Sequence, residues 1–115
     1  MAQPVVHFEI MGGKGHDLQD FYAGVFGWTI DTDNPTGYGV VPAAEGGIGG
    51  GVGPGDDTGP FVTVYVQVDD LQEALDAVEA AGGGTLMPPT TIPGGPTLAL
   101  FVDPAGNRMG LVEAP

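Results

Sequence analysis

Two stretches of this 115-residue chain alternate between apolar and polar side chains, and each is followed by a stretch of helical period, the first after a loop from Met11 to Gly15. In the first, Val6, Phe8 and Ile10 share one strand face, while Val5, His7 and Glu9 share the other. From Asp17 the apolar residues Leu18, Phe21, Tyr22, Val25 and Phe26 recur at helical spacing until Gly27 stops them. In the second, residues 61–68 place Val62, Val64, Val66 and Val68 on one side and Thr63, Tyr65 and Gln67 on the other. Asp69 or Asp70 caps the following helix, whose stripe is Leu71, Ala74, Leu75, Val78 and Ala81. Strand running into helix, twice in one chain, restricts the architecture to a layered α+β domain.

The remaining segments complete each half. Residues 28–30 read as a short strand, 38–41 as a strand, and 45–52 as a weak strand because five of those residues are glycine. In the second half, 85–87 is a short strand before a Pro-rich loop. Residues 97–102 and 107–112 are strands joined by the turn Asp103-Pro104-Ala105-Gly106. The order strand–helix–three strands thus occurs twice. Modules at about 4–52 and 61–113 are joined by a Gly/Pro-rich linker, 53–60, within one domain spanning 1–115. The repeat is one of architecture, since little residue identity relates the halves. The expected fold is α+β with a mixed, mostly antiparallel sheet. The chain has 22 glycines and 11 prolines, a content that borders on low complexity. Glycine clusters at 46–55, 82–84 and 94–95, between periodic segments, so it punctuates a fold.

Charge and missing residue types exclude whole classes of function. Fifteen acidic side chains face two basic ones, Lys14 and Arg108, for a net charge of −13. Nucleic acids and anionic membrane surfaces require phosphate-neutralising Lys and Arg, of which this chain has almost none. Its field favours cationic or neutral small molecules, and the acidity also serves solubility. There is no cysteine, hence no disulfide, thiolate ligand or cysteine nucleophile, and no serine for a Ser-His-Asp triad. Gly12-Gly13-Lys14-Gly15 lacks the spacing of a P-loop. No apolar run is long enough to span a bilayer. Met1-Ala2-Gln3-Pro4 lacks the basic and apolar regions of a secretory signal, so a cytoplasmic location is expected.

The order of elements combines with Val5-Val6-His7-Phe8-Glu9-Ile10, Phe21-Tyr22 through Val25-Phe26-Gly27-Trp28, and Val66-Gln67-Val68-Asp69-Asp70-Leu71. Phe101-Val102-Asp103-Pro104-Ala105-Gly106-Asn107 completes the set. Together these resemble the vicinal oxygen chelate superfamily of glyoxalase I, ring-cleaving dioxygenases, methylmalonyl-CoA epimerase and bleomycin-resistance proteins. The resemblance implies two βαβββ modules whose sheet curves around a cavity, usually completed by dimerisation, here a homodimer. It also implies that metal-dependent members draw ligands from positions matching His7, Thr63, Gly110 and the run Gly46-Gly47-Ile48-Gly49-Gly50. Only His7 among these is an ordinary ligand. A catalytic divalent site needs about three His, Asp or Glu donors. His7 and Glu9 supply two, and a third would have to come from Glu45, His16 or Glu113. The expectation is therefore no cofactor, with a divalent metal as the less favoured alternative.

In the resembling fold the polar strand faces line the cavity. That makes His7 and Glu9 the candidate catalytic residues, and Thr63, Tyr65, Gln67, Phe101 and Arg108 the candidate ligand contacts. Alternation sets Met109 and Leu111 against the helix, with Arg108, Gly110 and Val112 facing inward beside Thr97 and Phe101. Arg108, the only arginine, pairs with Glu9, holds an anionic ligand group, or is simply exposed near the turn. Trp28 and Phe26 at the helix end are expected in the core, with a dimer contact as the alternative. Two functions stay open. One is a small-molecule-binding protein of the bleomycin-resistance type without the family metal. The other is a metal-dependent or metal-free lyase, isomerase or dioxygenase with Glu9 or His7 as base.

Overall fold

A computed structural model describes residues 2–115. The elements in order are β1 (Val5–Met11), α1 (His16–Phe26), β2 (Gly39–Val41), β3 (Gly49–Gly53) and β4 (Phe61–Val68). They are followed by α2 (Leu71–Ala80), β5 (Gly84–Thr91), β6 (Thr97–Val102) and β7 (Arg108–Glu113). Two helices and seven strands in mixed parallel and antiparallel pairing make the fold α+β, as expected. None of the described helices is long and apolar enough to cross a membrane. The chain forms two compact units, one of His7–Thr63 and one of Val64–Pro115 together with the residues up to Val6.

In the first unit the strand order is β2-β3-β1, with β3 antiparallel to β2 and parallel to β1. Register pairs His7, Glu9 and Met11 with Gly49, Gly51 and Gly53, and Phe8 and Ile10 with Gly50 and Val52. Helix α1 covers the Phe8 face. It begins at Gly15, whose φ of 98° and closeness to the Pro54 backbone leave no room for a side chain. It ends at left-handed Gly27, whose N–H donates to the Ala23 carbonyl. An aromatic cluster stacks Tyr22 on Trp28 and sets Trp28 5.4 Å from Phe8 and 5.6 Å from Phe26.

Two sequence expectations change here. The apolar stripe of α1 is not its buried face: Phe21, Val25 and Phe26 are 57%, 55% and 60% exposed. The buried centre of the helix is Gln19. Its amide nitrogen donates to the carbonyls of Gly37 and Val52 at 3.0 and 2.8 Å, and that rotation turns Phe21 and Val25 outward. Residues 28–30 form no strand. Their side chains, Trp28 in the aromatic cluster and Ile30 against Gly39, hold the segment, and only Asp31 bridges to Val40.

In the second unit the order is β4-β7-β6-β5, with β4 and β7 parallel and the other pairs antiparallel. Asp70, extended, caps α2 by accepting from the Glu73 N–H. The helix buries Leu71 and Leu75 against Val68, Ala99 and Leu111, and Val66, Ala74 and Phe101 pack around that core. β5 is longer than the short strand expected, running through Pro88 and Pro89 to Thr91. It is an edge strand with register shifts at Thr85/Met87 and Met87/Thr90, where missing proline N–H groups are tolerated. At the β6–β7 turn Asp103 accepts from the Ala105 and Asn107 amides and from the Asn107 side chain. Those bonds hold its carboxyl below the ordinary range. Truncating the largest fully buried side chain of this unit, Leu75→Ala, should cost about 2–5 kcal/mol in urea unfolding. A loss under about 1 kcal/mol would show the α2 core to be looser than described.

Candidate functional site

The first unit gathers polar side chains on the sheet face away from α1. β3 contributes Gly49, Gly51 and Gly53 to that face and therefore leaves bare backbone. Tyr38 lies over it. A Cβ on Gly51 would overlap the Tyr38 hydroxyl and ring, and one on Gly53 would sit 3.3 Å from the ring and 3.2 Å from the Met11 methyl. Only glycine at 51 allows this close approach. The entry to β2 is set by Asn34. Its Oδ1 accepts from the amides of Thr36 and Tyr38, and its Nδ2 donates to the Tyr38 carbonyl.

So placed, the Tyr38 hydroxyl is 2.9 Å from His7 Nε2 and 2.9 Å from Glu9 Oε2. The hydroxyl donates its single proton to Glu9 Oε2, so its oxygen accepts from His7 Nε2–H. The result is a directed chain, imidazole to phenol to carboxylate. Burial pulls the His7 pKa below 6.5, and the negative charge of Glu9 partly offsets that. A lowered value means that the unfolded chain binds a proton the folded chain does not. Stability therefore rises with pH through the interval just below 6.5 and falls on acidification.

The sequence-derived candidates divide between the units. His7 and Glu9 come together through Tyr38, a residue the sequence reading treated only as part of a strand. Thr63 is buried at the end of the first unit. In the second unit Tyr65 pairs with Gly110 and its ring covers the glycine backbone, while Gln67 pairs with Val112 on the same face, as alternation predicts. Phe101 is corrected. Its β-ladder partner is Met109, its face is that of Ala99 and Leu111, and it packs on the α2 core. Leu98, Leu100 and Val102 instead share the face of Val112, Gly110 and Arg108. The expectation of Phe26 in the core is also corrected, whereas Trp28 is partly buried among the rings.

These residues do not fit a family-type divalent site. His7 and Glu9 are two donors already tied through Tyr38, and the alternating positions of β3 are glycines. Among the described residues no three His, Asp or Glu side chains converge.

The chain belongs to the Glyoxalase/Bleomycin resistance protein/Dioxygenase superfamily, whose family model matches residues 5–111. Anthracycline biosynthesis protein DnrV of Streptomyces peucetius is 34% identical, over 82% of this chain and 42% of its own. The "Putative glyoxylase CFP32" of Mycobacterium tuberculosis is likewise 34% identical, over 82% of this chain and 39% of its own. The chain thus spans about two fifths of the length of these relatives. Among solved structures, a superfamily member from Vibrio splendidus aligns at TM-score 0.67 and 14% identity, covering 98% of this chain and 100% of that one. A methylmalonyl-CoA epimerase in complex with methylmalonyl-CoA aligns at 0.67 and 14%, covering 99% and 96%. At such identities these structures establish the shared fold.

Two measurements check the site. Glu9→Gln removes the charge that raises the His7 pKa, so an NMR pH titration should find His7 lower still, and an upward shift would contradict the geometry. Gly51→Ala should destabilise by about 1–3 kcal/mol through overpacking. In a Tyr38→Ala background its cost should fall below about 0.5 kcal/mol, and simple additivity would mean that the two residues do not touch.

Proposed function

We propose that the chain is a small-molecule-binding protein of this superfamily, in which the His7–Tyr38–Glu9 chain replaces a metal centre as the polar anchor for the ligand. The observation that carries this reading is the Tyr38 hydroxyl, held 2.9 Å from both partners on a strand face with two metal-donor side chains and no gathered third. The ligand class follows from charge and surface. At −13, with two basic side chains, the chain repels polyanions and draws cationic or neutral molecules. The Tyr38 ring beside Met11 offers an apolar wall for an aromatic ligand. A relative named for anthracycline biosynthesis, a polycyclic aromatic class, supports the same choice. The homodimer implied by the superfamily resemblance is part of this proposal.

A second reading is a metal-free isomerase or lyase. It is supported by Glu9, a carboxylate held on the polar strand face by the Tyr38 hydroxyl, which is placed to act as the base. Calorimetric titration with aromatic amines and phenols, alongside elemental analysis of the purified protein, tests the first reading. We expect no stoichiometric metal and an affinity that falls about tenfold or more in Tyr38→Phe. About one equivalent of tightly held Fe, Mn, Co, Ni or Zn would overturn it. Turnover abolished in Glu9→Gln with binding retained would favour the enzyme.

A further inference from the structure

The α1 side of the first unit contains a concavity of about 450 Å3, within the size range of small-molecule sites. His16, Gln19, Asp20 and Ala23 of α1 line it, together with Ile30, Thr32 and Gly37 from the segment leading into β2. Gln19 is 8% exposed, and its amide orientation is fixed because both partners of its nitrogen, the carbonyls of Gly37 and Val52, can only accept. That leaves Oε1 with no hydrogen-bond partner among the described residues, and the atom is not sealed inside the protein. It is an acceptor held rigidly at the concavity. Asp20 adds a carboxylate, Thr32 a hydroxyl, and Ala23 and Ile30 an apolar wall.

We propose that this concavity is a second binding site, distinct from the Tyr38 chain, for a small organic cation with an N–H donor head and a compact apolar body, such as an amidinium. The head bonds Gln19 Oε1 and the Asp20 carboxylate, a charge-assisted pair, and the body rests on Ala23 and Ile30. The overall negative field of the chain raises the local concentration of such a ligand.

Titration of the 15N-labelled full chain with benzamidine at pH 8 and low salt tests this, with uncharged benzamide as the control. The expected result is saturable shifts in the Gln19 side-chain amide and in backbone amides of 16–23 and 30–37, far weaker with benzamide. Asp20→Asn, an exposed substitution that should leave the spectrum folded, is expected to weaken benzamidine about fivefold or more. Four results would overturn the proposal: no saturable shift, equal shifts with benzamide, shifts centred on His7, Glu9 and Tyr38, or unchanged affinity in Asp20→Asn.

Discussion

A strand whose alternate residues are glycine has no side chains to cover its own backbone, and what fills that space decides the chemistry of the sheet face. In the first unit the ring of Tyr38 fills it, above Gly51 and Gly53, and no other residue type at 51 would let the hydroxyl reach His7 and Glu9. The same device recurs on other faces. Phe8 lies over Gly50 on the α1 side, and in the second unit Tyr65 lies over Gly110. In these two cases, unlike that of Tyr38, the ring sits on a glycine of a parallel neighbouring strand. Both units therefore gain aromatic cover over glycine backbone, and in the first it falls on residues 45–52, which the sequence offered only as a weak strand.

This packing has consequences at both ends of the 34–38 segment. Asn34 ties its Oδ1 and Nδ2 back to Thr36 and Tyr38, so the ring is delivered by a turn stiffened on its exposed side. Gln19 accomplishes the same on the helix side by bonding the Gly37 carbonyl immediately before Tyr38. A buried amide in the middle of α1 costs free energy unless its hydrogen bonds are made. Gln19 makes two through its nitrogen and is one of the residues that line the concavity. Ordering of the loop and placement of the phenol are thus one arrangement, reached from both faces of the sheet.

Much of the architecture was legible in the residues. The alternation in 5–10 and 61–68, the helical stripe of α2, Asp70 as its cap and Gly27 as the stop of α1 all follow from elementary periodicity and capping. His7 and Glu9 were legible as neighbours on one strand face. Tyr38 was not, because its reach depends on a ladder register that pairs Glu9 with Gly51, and one sequence carries no direct record of register. The glycines at 49, 51 and 53 were the available signal, since glycine inside a strand often marks close approach of another group. Phe101 was misplaced for the same reason. Its face follows from pairing with Met109, a register that alternation along the last strand alone does not carry. Gln19 was hidden by its setting, a polar residue at the buried centre of a helix whose most conspicuous apolar residues face outward.

On the first strand, the imidazole of His7 is joined through a phenol to the carboxylate of Glu9. The function proposed for the protein rests on that hydrogen-bond chain being real and directed. Long-range 15N–1H correlation of the histidine side chains at pH 7 reads it directly. The geometry predicts a neutral His7 protonated at Nε2, with a slowed Tyr38 hydroxyl proton bonded between His7 and Glu9. A His7 protonated at Nδ1 alone, or an imidazolium at that pH, would contradict it.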